Sequence, residues 1–118
     1  MAEDEQVVRD QTARILAEVG FDVLSADGGH QAVALAQQHD GPIYLLFTNV
    51  VMADINGYEL AQQILHRIPS ISVVLMSGHS RASLAQYSIQ QEEFAFLHKP
   101  FSPQTLIDTV NQALSKRL

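Results

Sequence analysis

Four groups of residues in this chain of 118 carry side chains that phosphoryl chemistry uses. Glu3-Asp4-Glu5 offers carboxylates close to the start. Asn49, within Phe47-Thr48-Asn49-Val50-Val51-Met52-Ala53-Asp54-Ile55-Asn56-Gly57, offers an amide oxygen. Ser77, followed by Gly78, offers a hydroxyl, and Lys99, directly before Pro100-Phe101, offers an ammonium. Two acids and an oxygen donor can hold Mg²⁺. A hydroxyl and an ammonium can bind phosphoryl oxygens.

The elements that must position these groups are read from hydrophobic periodicity. Val8, Thr12, Ile15, Leu16 and Val19 share a helical face, with Gly20 as a C-terminal stop. Phe21–Ala26 reads as a short strand. Gly28-Gly29 then open a helix that carries Ala32, Val33 and Ala36 and closes near Asp40-Gly41. Ile43–Phe47 is a continuous apolar run, as expected of a strand covered on both faces. A helix over Tyr58–Ile68 stops before Pro69, and Ser72–Met76 is the next buried strand. A helix from about Ser80 to Gln91 and a short strand over Phe94–His98 follow. Ser102 caps the last helix, with Pro103 at its first position and Leu106, Ile107, Val110, Ala113 and Leu114 as its apolar stripe. Such alternation predicts an α/β fold with a parallel sheet between helices. Ligands of these sheets bind beyond the carboxyl ends of the strands, where all four groups fall.

Composition narrows the function. Hydrophobic residues make up 47% and charged residues 17%, a globular balance that fits one domain over residues 1–118. A net charge of −6 disfavours nucleic acid and anionic membranes as partners of this domain alone. The absence of cysteine excludes disulfides, thiolate catalysis and Cys-ligated zinc. No apolar run reaches a membrane span and the start is unlike a signal peptide, so a cytoplasmic location is expected. His30, His39, His66, His79 and His98 show no metal-ligand spacing. Ser77-Gly78-His79 lacks the Gly-x-Ser-x-Gly setting of a hydrolase nucleophile.

Taken together and in order, the motifs resemble the response-regulator receiver family over essentially the whole chain. The family's acidic pair at the end of its first strand matches Glu3 and Asp4, with Glu5 adjacent. Its phosphoacceptor aspartate, followed by methionine three and glycine eight residues later, matches Asn49, Met52 and Gly57. Its Ser/Thr matches Ser77, and its Lys-Pro-Phe motif, usually with a cis Lys-Pro bond, matches Lys99-Pro100-Phe101. Its aromatic switch matches Phe96. The resemblance implies a flavodoxin-like doubly wound sheet of order 2-1-3-4-5. It also implies Mg²⁺ at Glu3, Asp4 and residue 49, phosphoryl contacts from Ser77 and Lys99, and a switch or interface role for Phe96 and Pro100.

Three departures from the family pattern matter. Asn49 replaces the carboxylate that attacks a phosphohistidine, and an amide oxygen is far less nucleophilic. Phosphorylation at Asn49 is therefore not expected. Mg²⁺ should bind weakly or not at all, Lys99 should pair with Glu3 or Asp4, and the Asn49 NH₂ should donate to one of those acids. The second departure is a first strand that is missing or truncated. About five residues are involved, and lost burial and ladder hydrogen bonds would cost on the order of 10 kcal/mol. The expected consequences are a chain that begins late relative to its natural protein, a strand supplied by a partner, or local rearrangement. Marginal stability, a homodimer or strand exchange would follow. The third departure is Ala53, where the family has proline.

Neither Asp54 nor Thr48 is expected to substitute as acceptor, since Asp54 lies five residues on and Thr48 points to the other strand face. The leading expectation is a non-enzymatic pseudo-receiver of a two-component phosphorelay that works by protein–protein binding through about Ser80 to Lys116. By the resemblance, partners would be a sensor histidine kinase, a phosphotransfer domain, another receiver or an output domain. One alternative is an inactivated or truncated ordinary receiver, which Asn49→Asp and a restored strand would return to labelling. A small Mg²⁺-dependent phosphohydrolase is the other, and it requires the carboxylate that Asn49 denies.

Overall fold

A computed structural model describes residues 1–78 and 94–115. The helix expected over Ser80–Gln91 lies outside them. The described elements are α1 (Gln6–Glu18), α2 (Gly29–Gln38), β1 (Leu45–Asn49), α3 (Gly57–Arg67), β2 (Ser72–Ser77), β3 (Ala95–His98) and α4 (Pro103–Ser115).

Each helix has a local reason to start or stop. Gly20, at φ 104°, ends α1 in the left-handed conformation that glycine tolerates. Gly20 N–H donates to Ala17 O and Phe21 N–H to Leu16 O, the paired bonds of a Schellman stop. Asn56 caps α3 by accepting from Glu59 N–H at 2.8 Å. Ser102 caps α4 by accepting from Thr105 N–H at 3.1 Å.

β1, β2 and β3 pair in parallel in that order, with Leu45 opposite Ser72 and Val74 opposite Ala95. β2 is buried along its whole length, as its continuous apolar run requires. Two cores flank the sheet. Leu60, Ile64, Val73 and Leu75 belong to one, and Leu16, Phe47, Val74, Leu106 and Val110 to the other.

The start of the chain occupies the central strand position: Ala2 is fully buried and forms parallel bridges to both Ala26 and Thr48. Ala2 N–H donates to Phe47 O and Asn49 N–H to Ala2 O, while Glu3 N–H donates to Ala26 O and Ala26 N–H to Met1 O. These three residues make the hydrogen bonds of a short central strand, giving the spatial order Ala26 segment, Met1–Glu3, β1, β2, β3. That is the doubly wound order 2-1-3-4-5. Phe21–Ala26, in turn, is not a full strand, since only Ala26 makes a bridge. A strand is defined by its pairing with a neighbour, and the bridge to Ala2 is confined to one residue of this segment.

Candidate functional site

β1, β2, β3 and the Met1–Glu3 segment end together, and they bring Glu3, Asn49, Ser77 and Lys99 to one edge. Ala2 is bonded to β1 on one side and its neighbours to Ala26 on the other, which fixes where Glu3 emerges. Lys99 is fixed by its own N–H, which donates to Ser77 O at 2.8 Å, and its peptide bond to Pro100 is cis.

Glu3 is completely buried. One carboxylate oxygen accepts a hydrogen bond from the Lys99 ammonium, and the two side chains form an ion pair. The other oxygen accepts from Glu5 N–H at 3.2 Å, and the Glu3 carbonyl accepts from the Arg9 guanidinium at 2.9 Å. A buried carboxylate without such partners would be strongly destabilising, so the pair satisfies both charges at once. The expected pairing of Lys99 is thus found, with Glu3 as the partner. Asp4 is exposed.

Asn49 is nearly buried, but its amide does not donate to the acids as expected. Its Nδ2 donates to Val51 O at 2.8 Å, within its own loop. The acceptor is the carbonyl two residues on in the same loop, while the Glu3 carboxylate is held by Lys99. Thr48 is buried on the other face of the strand, and its hydroxyl donates to Asn49 O.

The loop after Asn49 is held by two close approaches. Gly57 N–H donates to Val50 O at 2.7 Å. A Cβ on Gly57 would lie 2.2 Å from the Asn49 carbonyl oxygen, which explains a glycine eight residues after Asn49. The Asp54 carboxylate accepts from Gly29 N–H at 3.1 Å and His30 N–H at 2.8 Å, at the start of α2. These bonds, led by that of His30, hold its pKa down at about 2. Asp54 is therefore a clamp between this loop and α2, a role the sequence reading missed.

Phe96 is half-buried against the core that contains Leu60 and Leu75, and Pro100 is exposed. Ser77 is buried. Among the described residues, no three His, Cys, Asp or Glu side chains cluster as a metal site. No helix among them is long and apolar enough to cross a membrane.

The fold and the strand-end constellation define a doubly wound receiver-type α/β domain. A family model for the response regulator receiver domain matches residues 1–111, and the chain belongs to that family. Sensor kinase CckA of Brucella abortus is 30% identical over 117 residues, covering 99% of this chain and 12% of that protein. The response regulator receiver protein CpdR of the same organism is 27% identical and matches 97% of this chain and 93% of its own length. A crystal structure of the receiver domain from hybrid histidine kinase CckA superposes with a TM-score of 0.79 at 33% identity, covering 96% of this chain and 94% of that one. The chain thus spans a small part of some relatives and nearly all of others. Receiver domains are modules of two-component signalling and bind Mg²⁺ at the phosphorylation site.

Proposed function

We propose that this chain is a pseudo-receiver of a two-component phosphorelay, acting by protein–protein binding without accepting phosphate. The observation that carries this reading is Asn49 at the end of β1, an amide whose nitrogen is committed to Val51 O. In-line attack on a phosphoryl group needs an anionic oxygen, which an amide does not supply.

The reading extends to Mg²⁺. Glu3 is held by Lys99, Asp4 is exposed and Asn49 brings no charge, so the set fits a divalent cation poorly and binding is weak at best. Lys99 supplies the positive charge that would otherwise come from the metal. The domain performs no turnover. Its partners are a sensor histidine kinase, a phosphotransfer domain or an output domain, and it works in the cytoplasm. Relatives that include a sensor kinase and a receiver protein support that partner class.

The test is partner binding with and without a phosphodonor. Affinity for a histidine kinase or phosphotransfer domain that binds the chain should be the same in buffer and in acetyl phosphate with Mg²⁺. A donor-dependent change of tenfold or so, about 1.4 kcal/mol, contradicts the reading.

A further inference from the structure

Asn56 and Gly57, where the loop after β1 joins α3, form a chemically reactive pair. The side-chain carbonyl carbon of an asparagine is open to attack by the backbone nitrogen of the next residue. Glycine has no side chain to screen that nitrogen. The asparagines of the chain are Asn49, Asn56 and Asn111, and only Asn56 precedes a glycine.

In the folded state two hydrogen bonds oppose the attack. Gly57 N–H donates to the carbonyl of the fully buried Val50 at 2.7 Å, which engages the attacking nitrogen. The Asn56 side-chain oxygen accepts from Glu59 N–H at 2.8 Å, which fixes the carbon to be attacked. Reaction requires both to open. Around them Asn56 and Tyr58 are half-buried, and Ala53, Asp54 and Glu59 are exposed. Segments of this kind open locally more often than a core does.

Asn49 has the opposite surroundings. Its neighbour Val50 is β-branched, and Val50 N–H donates to Met76 O at 2.9 Å, extending the β1–β2 ladder. Asn111 lies inside α4, where helical bonding holds the next N–H.

We propose that Asn56 is a site of spontaneous deamidation, gated by opening of the Gly57–Val50 hydrogen bond, while Asn49 keeps its amide. The Gly57 nitrogen bonds to the Asn56 side-chain carbonyl carbon, the bond from that carbon to its NH₂ breaks, and ammonia leaves with the Gly57 proton. Water then opens the cyclic imide at either carbonyl, leaving aspartate or isoaspartate at position 56. Aspartate still caps α3. Isoaspartate lengthens the main chain just before Gly57, where a Cβ would already lie 2.2 Å from the Asn49 carbonyl oxygen. The inference does not rest on the pseudo-receiver reading.

The test is tandem mass spectrometry of the 118-residue protein after incubation in warm, mildly alkaline buffer, with and without urea. Conversion at residue 56 is expected in both, slower by roughly tenfold or more without urea. That slowing should match the hydrogen-exchange protection of the Gly57 amide within about threefold, a comparison made on the wild-type protein alone. Residue 49 should keep its amide in the folded protein. Asp27-Gly28 and Asp40-Gly41 can rearrange as well, but without a change of mass. Asn56→Gln should remove the mass gain, and Asn56→Asp should co-elute with one of the two aged products on ion exchange. Equal rates with and without urea, an amide at residue 56 that survives indefinitely in the folded protein, or slowing unrelated to Gly57 protection would each overturn the proposal. Conversion at residue 49 as fast as at residue 56 would also overturn it.

Discussion

The Lys99 ammonium is ion-paired with the fully buried Glu3 carboxylate, tying the residue after β3 to the third residue of the chain. Lys99 also bonds through its backbone to Ser77, so one residue links three strand ends. Replacing Lys99 with Met leaves the buried Glu3 carboxylate without its countercharge, with only the Glu5 N–H as donor. We expect a loss of about 3 kcal/mol in urea unfolding. The additional change Glu3→Gln should recover a large part of that loss. A single variant as stable as the parent would show that the pair contributes nothing.

Gly57 makes a sharper steric prediction. Its missing Cβ would sit 2.2 Å from the Asn49 carbonyl oxygen and 3.0 Å from the Val50 Cα, both backbone atoms that cannot swing aside. Gly57→Ala should therefore cost about 3 kcal/mol or more, although alanine is the better helix former. A neutral or stabilising effect in chemical denaturation would contradict the close approach.

Burial pushes the Met1 α-ammonium down to about 6 from its ordinary 8.0. Between those values the unfolded chain holds a proton that the folded chain has released. Stability therefore rises with pH across this window, by about 2–3 kcal/mol in total, and is lowest below pH 6. Asp22 and His39 line the cavity beside Met1, so the comparison that isolates Met1 is with N-terminally acetylated protein. Acetylation should flatten the rise in urea midpoint between pH 6 and 8, and an unchanged slope would assign it elsewhere.

The Asp54 clamp has a dependence of the same sign in a more acidic window. Its depressed pKa contributes stability above about 3.8, and that contribution is lost as pH falls through about 2. Asp54→Ala removes the acceptor for Gly29 and His30 N–H and should cost about 1–2 kcal/mol at neutral pH. The variant should also lose less stability than the parent on acidification. Equal acid sensitivity of the two proteins would rule the clamp out.

What the sequence made legible follows from range. Gly20, Ser102-Pro103 and the apolar stripe of α4 act within one turn, so their positions alone predict helix ends and faces. Asn49, Ser77 and Lys99 were recognisable because each follows an apolar run, and a parallel sheet gathers such ends at one edge, whereas Glu3 was placed there by the family resemblance. The Asn56 cap was also local, readable in Asn56-Gly57-Tyr58-Glu59, and was overlooked. The Asp54 clamp joins segments 25 residues apart and leaves no periodic trace. Phe21–Ala26 has a strand's composition, but pairing depends on a neighbour that composition does not report. Met1–Glu3 is too short to show any period, although it makes a strand's hydrogen bonds on both sides. The direction of the Asn49 amide depended on loop geometry: it donates to Val51 O within its own loop, while Glu3 is paired to Lys99.

The central claim concerns one functional group at residue 49. Intact-mass spectrometry of the chain after incubation with acetyl phosphate and Mg²⁺ tests it most directly. The account predicts an unchanged mass under conditions that label a phosphorylatable receiver. A stoichiometric gain of about 80 Da, one phosphoryl group, mapped to the Glu3–Asn49–Lys99 edge would contradict it.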